Sequence, residues 1–296
     1  MSAHTATNDP LSSPIRRLFG RSLGHTGLAV GTIGIVATIL IAVFAAWLSP
    51  DDPFRQDIAN RMIPPIWHDA GTWDHPLGTD GIGRDYLTRI IYGSRIALLT
   101  AFGVVLIAGT IGSALGIAAG YFGGKVDIII SFLISVRLSM PVVLVALAVV
   151  AMVGGSLTVV IWVLGLLLWD RFAVVMRSAT MQVRSLEYVV GARAAGCSTA
   201  RIVFSEILPN VTGSLVVVTT LEMAHAILLE ASLSFLGLGV QPPLPSWGLM
   251  IAEGRNYLFF DPWVVTIPGA ALFALVLSIN FVGDGIRDVI ALENRN

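Results

Sequence analysis

Charge is scarce in this chain. Only 12% of its 296 residues are charged, about half the roughly 25% of an ordinary soluble domain. The net charge is −1, so the basic surface that a nucleic-acid partner needs is missing. Cysteine is nearly absent as well. Cys197 stands alone, which excludes an internal disulfide and argues against a cysteine-based metal site. It reads as a small packing residue. Lys125 is the single lysine and is followed by Val126. A phosphate loop needs Gly-Lys-Ser/Thr, so the chain has no ATP-binding motor of its own. No His-Glu-x-x-His pattern and no nucleophile elbow occur, which leaves an intramembrane hydrolase without a motif. The chain also lacks an internal repeat and a low-complexity tract.

Apolar residues fill the space that charge vacates. They make up 55% of the chain and fall into six long runs: Leu28–Leu48, Ile96–Tyr121, Val126–Val153, Leu157–Met176, Val211–Leu236 and Trp263–Val282. A bilayer core of roughly 30 Å needs about 20 such residues as helix. The expected fold is therefore all-α and polytopic, with six transmembrane helices. The first run has no clear processing site after it and reads as a retained helix. The third is long for one span, and Pro141 should kink it, with Arg137 near the membrane interface. The fourth carries the adjacent pair Asp170–Arg171. Residues 1–27 form an N-terminal tail and 291–296 a C-terminal one.

Basic residues set the orientation. With the N-terminus inside, the cytoplasmic side receives Arg16, Arg17, Arg21, Lys125, Arg171, Arg177, Arg184, Arg193, Arg201, Arg287 and Arg295. The other side receives Arg55, Arg61, Arg84, Arg89, Arg95 and Arg255. That count is eleven against six. Both termini and the stretch 184–209 are then expected in the cytoplasm, and the loop 49–95 outside, in a multi-pass protein of a bacterial inner membrane.

The stretch 184–209, RSLEYVVGARAAGCSTARIVFSEILP, is a polar island between apolar runs. It reads as two short helices hinged at a glycine. Ser185 is placed to cap the first, with Glu187 in its first turn, where the helix dipole favours a carboxylate. Ala192, Ala194 and Ala195 give a small-residue surface that another protein can approach. Gly196 suits the left-handed position that ends a helix, and Ser198 can cap the next. Pro209 marks the entry to the fifth run. The organisation suits a docking surface better than a connector.

Ionisable residues within the spans are few. Glu222 and His225, three apart on one helix face, and Glu230, two turns on, are the main ones. Such residues mark pathways or relays by default. Three groups on one helix do not complete a path across the membrane, so pairing with a partner or a watery cavity is the preferred reading over a proton relay.

The island resembles the EAA loop of permease subunits in ATP-binding-cassette importers. The small triplet falls on Val190, Gly191 and Ala192, the glycine is Gly196, and the ending is Leu208–Pro209. The likeness is stronger for the C-type permease of dipeptide and oligopeptide importers. HPLGTDGIGRDYLTRIIYGSR at 75–95, EYVVGARAAG at 187–196, ILPN at 207–210, EASLSFLGLGVQPPLPSWGLMIAEGR at 230–255 and NFVGDGIRD at 280–288 carry it in order. Three positions depart from that pattern. Gly191 stands where alanine is usual, Ser205–Glu206 replace a commonly basic pair, and Ser135 replaces an acidic residue of the third span.

The resemblance implies a type I importer permease fold, with residues 96–290 as the permease core. It implies a second homologous permease, two cytoplasmic ATPase subunits or domains that bind ATP and Mg, and an extracytoplasmic solute-binding protein. It also implies that Glu187, Tyr188, Ala192, Ala195 and Gly196 dock an ATPase, with Arg193 and Arg201 as electrostatic partners and Pro209 closing the loop. No substrate-binding residue and no cofactor of this chain follows from it. The alternatives are a permease for nickel or another small solute in the same branch, and a proton-coupled secondary transporter working through Glu222 and His225. On the outer side, a helix from about Arg84, with Leu87, Ile90 and Ile91 on its apolar face, is expected to lie on the membrane surface. The QPPLPSWG stretch is expected to form an ordered loop with Trp247 at the interface.

Overall fold

The computed structural model describes residues 26–49 and 51–293, so most of the expected N-terminal tail, with Arg16, Arg17 and Arg21, and Arg295 at the other end lie outside the described residues. Among those residues there is no strand, only the isolated bridges Thr72–His75 and Thr79–Asp85. Among the described residues, ten α-helices of eight or more residues carry the fold: α1 (Thr26–Val43), α2 (Tyr86–Phe122), α3 (Gly124–Leu138), α4 (Val142–Val153), α5 (Leu157–Leu167), α6 (Trp169–Arg184), α7 (Glu187–Ala194), α8 (Leu208–Phe235), α9 (Trp247–Gly254) and α10 (Trp263–Glu293). Five stretches are each long and apolar enough to cross a membrane: Thr26–Val43, Tyr86–Phe122, Leu157–Arg184, Thr199–Phe235 and Trp263–Val289. The pair α3 and α4 makes a sixth if taken together, but it is bent by 82°. Pro141 and the turn before it therefore break the third run and do not merely kink it. Proline removes a backbone donor and clashes with the preceding turn.

The spine of the molecule is α2 against α6. Asp85 caps α2 by accepting from the backbone N–H of Thr88 at 2.7 Å. Gly123, at a φ of 65°, ends it. Its 37 residues run about 55 Å at roughly 1.5 Å each, well beyond one bilayer core. Gly112, Gly116 and Gly120 lie four apart on the face that meets α6. A Cβ on them would fall 2.2 Å from Trp169 O, 2.5 Å from Ala173 O and 2.7 Å from Arg177 O. The helices touch backbone to backbone, the close packing that small residues permit in membranes. Elsewhere α1 lies on α10, where Gly31 and Gly34 admit Ser278 and Phe281. Arg95 donates to the carbonyl of Ala42 at 2.5 Å and so ties the end of α1 to α2.

Two features expected on the outer side differ from expectation. The stretch from Arg84 is no surface helix but the beginning of α2 itself, and both Arg84 and Arg89 are buried. They are buried because they are paired. Asp80 accepts from Arg84 Nε at 2.6 Å and from Arg89 at 2.5 Å, while Glu253 of α9 accepts from Arg84 at 2.9 Å and from Arg89 at 2.8 Å. Each buried cation thus has anion partners, without which its burial would be far more costly. Trp247 is likewise no interfacial tryptophan. It is 5% exposed and its indole N–H donates to Ile90 O at 3.0 Å, pinning α9 to α2. The stretch 236–246 before α9 is non-helical, as the QPPLPSWG segment requires.

Candidate functional site

The polar island folds as a short helix on an apolar anchor. Helix α7 covers Glu187–Ala194. Val189 is fully buried and packs with Tyr121, Met176, Val183, Ile202, Ile207 and Val211. Ala192 is half-buried against the same cluster. Glu187, Tyr188, Val190, Arg193, Ala195 and Gly196 are exposed, with exposed Arg201 and Pro209 following. One face of α7 thus holds the helix to the bundle, and the other is free.

The end of α7 is built as the sequence suggests. Gly196 has a φ of 78°. Its N–H donates to Arg193 O, and the next N–H, of Cys197, reaches back to Ala192 O, both at 3.1 Å. This pair of bonds closes the last carbonyls of the helix and needs a left-handed residue between them. Ser198 accepts from Arg201 N at 3.4 Å and caps the turn that follows. The start of α7 differs from expectation. Its N-cap is Leu186, without a side-chain bond, because Ser185 Oγ donates instead to Gln182 O at 2.8 Å. Ser185 ends α6; it does not begin α7.

In the second half of the island, the chain re-enters the bundle through a wide π turn at Ile202–Ile207. Leu208 N–H donates five residues back, to Val203 O. Pro209 lies in the first turn of α8 and has no N–H to give. Widening the preceding turn accommodates its ring in a helix that otherwise runs on without interruption.

Arginines tie the island and α3 to the spine. The Arg193 guanidinium lies 5.3 Å from the centroid of the Tyr121 ring near the end of α2, within range of a cation–π attraction. Arg184 donates to Gly120 O at 3.2 Å. Arg177 makes a forked pair with Asp127 of α3, one arm at 2.7 Å. Three of the basic residues assigned to this side by charge bias therefore have specific partners. Tyr121, Asp127 and the glycine row are the structural parts that the sequence reading passed over. The row was visible as small residues spaced by four.

Glu222, His225 and Glu230 do not form a chain. Glu222 is 1% exposed and accepts from Arg171 at 3.3 Å, with His225 Nδ1 at 3.3 Å from its other oxygen. Glu230 is 3% exposed and accepts from Ser234 and Ser246, each at 2.7 Å. The two carboxylates have separate partner sets, and Glu230 serves to hold the stretch before α9 against α8.

Residues 112–295 match the family described as binding-protein-dependent transport system inner membrane component. This chain belongs to that family. It is a transport permease subunit, and the family implies a partner permease and a partner ATPase. The dipeptide transport system permease protein DppC of Haemophilus influenzae is 36% identical over 278 residues, 94% of each chain. The Escherichia coli DppC is 37% identical over 94% of this permease and 93% of its own length. A di/tripeptide transport system permease of Pseudomonas aeruginosa is also 37% identical, over 96% of this chain and 94% of its own length. A solved structure of the MetNI methionine ABC transporter, 20% identical, superposes with a TM-score of 0.56 over 68% of this chain and 96% of the other. It establishes the type I importer permease fold, carried by helices of a multi-pass membrane protein.

Proposed function

We propose that this permease is one half of the translocation pathway of an ATP-driven importer of short peptides. A second homologous permease completes the pathway. Two ATPase subunits or domains bind ATP and Mg on the cytoplasmic side, and an extracytoplasmic binding protein delivers the cargo. Both termini and the island face the cytoplasm of a bacterial cell. The cargo rests on the peptide-transport names of relatives that align along nearly the whole chain.

The observation that carries the coupling role is the two-sided helix α7. It is fixed to α2, α6 and α8 through Val189 and its apolar neighbours, and leaves Glu187, Tyr188 and Ala195 free. A motor that pulls on this free face moves the spine, because α6 runs from the island into glycine contact with α2. Closing of the ATPase pair on ATP then tilts the helices between inward-facing and outward-facing states.

The test is uptake of labelled dialanine into proteoliposomes holding the whole importer, with ATP inside the motor compartment. Replacing exposed Ala195 with tryptophan should abolish uptake while the chain still inserts and pairs with the second permease. Unchanged uptake would refute the coupling role. Uptake driven by a proton gradient without ATP would favour a secondary transporter, and uptake of nickel but not dialanine would reassign the cargo.

A further inference from the structure

Two broken helices come together at a shared cavity. The break between α3 and α4 falls at Ser139–Pro141, and the break between α5 and α6 falls at Leu168. Arg137 joins them, donating from Nε to Leu167 O at 2.6 Å and from its other arm toward Met140 O at 3.4 Å. Irregular backbone is tolerated within a membrane only where it is buried in protein or lines a cavity. Here it lines one. A cavity of about 170 Å³ is walled by Arg137, Leu168, Asp170, Arg171 and His225, among others.

The cavity lies at mid-span. Arg171 is 14 residues from Leu157 and 13 from Arg184, the two ends of its span. Glu222, bonded to Arg171 and His225, is 14 residues from Leu208 and 13 from Phe235, the two ends of α8. At roughly 1.5 Å per residue each is about 20 Å from either end.

The charges there are balanced but not all paired. Glu222 has Arg171 and His225. Asp170 is 3% exposed, and its Oδ1 has no hydrogen-bond partner among the described residues. The Arg137 guanidinium is held by carbonyl oxygens alone and has no carboxylate partner among the described residues. One anion and one cation thus line the same cavity without ionic partners among the described residues. Leaving either so at mid-membrane is costly unless something completes it.

We propose that this cavity is a transit site for a zwitterionic peptide, with Asp170 receiving the α-ammonium and Arg137, with Arg171, the terminal carboxylate. The site rests on the peptide-import reading. It adds a pair of opposite charges that a peptide satisfies at both ends and that a metal cation or a neutral solute does not.

The test uses the assembled importer in proteoliposomes, with ATP and binding protein loaded with labelled dialanine. Asp170→Asn should cut uptake by at least roughly tenfold, equivalent to about 1.4 kcal/mol of lost binding. ATP hydrolysis and copurification of the second permease should be little changed. Asp170→Glu, which keeps the charge, should recover much of the uptake. Wild-type uptake in Asp170→Asn would overturn the site. Loss of the second permease from that variant would make the cluster a subunit contact, and collapse of wild-type uptake on dissipating a proton gradient would make it a relay; both overturn the proposal. A wild-type importer that moves no dialanine would refute the peptide-import reading itself, and this site with it.

Discussion

Gly116→Ala adds one methyl group to the most closely packed seam of the permease. That carbon would sit 2.5 Å from Ala173 O, 2.9 Å from Met176 Cβ and 3.0 Å from Arg177 N. Ordinary van der Waals contact begins near 3.4 Å, so the shortfall against the carbonyl oxygen is 3.4 − 2.5 = 0.9 Å. None of the three atoms is the far end of a flexible side chain. Relief requires that α2 and α6 move apart, which also loosens the contacts of Gly112 and Gly120 on the same face. Overpacking of this kind costs about 1–3 kcal/mol. Alanine returns up to about 1 kcal/mol through its better helix propensity. The net expectation is a loss of about 1–2 kcal/mol, and a larger loss for Gly116→Val. Thermal unfolding of the purified chain in mild detergent reads this as a lowered midpoint with the fold otherwise intact. A midpoint equal to or above that of the parent would refute the backbone-to-backbone contact between α2 and α6.

Gly191→Ala should act in the opposite direction. The added carbon meets nothing within 4 Å, and removing a mid-helix glycine from α7 should gain up to about 1 kcal/mol, seen as a raised midpoint in the same assay. Arg89→Gln should destabilise by about 3–5 kcal/mol, since it removes one partner from a buried ion group. Arg84 still pairs with Asp80 and Glu253, so the lower end is expected, and a neutral result would show that the group is not buried in the working protein.

Much of this architecture was legible in the sequence because hydrophobic length is a strong signal. Five of the six apolar runs correspond to single candidate spans, the fourth of them interrupted at Leu168, and Gly196 and Ser198 do what their types suggest at the end of α7 and the turn after it. The misreadings share a cause. Arg84 and Arg89 looked like surface residues, yet Asp80 and Glu253 neutralise them in the interior, and Glu253 is more than 160 positions away in the chain. Trp247 looked interfacial until Ile90 O supplied a partner for its N–H. Ser185 was read forward to α7, while its hydroxyl bonds backward to Gln182. Pro141 signalled a disturbance in the third run but not its size. The cavity at Asp170 depends on two breaks that come together only in three dimensions, and no window of sequence contains both.

The central claim is that the free face of α7 is where an ATPase drives this permease. A photo-crosslinking amino acid placed at Tyr188, which is 44% exposed, tests it within the assembled importer. The account expects crosslinks to the ATPase, with a yield that changes when ATP is bound and hydrolysed. Crosslinks to the external binding protein, or to lipid alone in every nucleotide state, would contradict it.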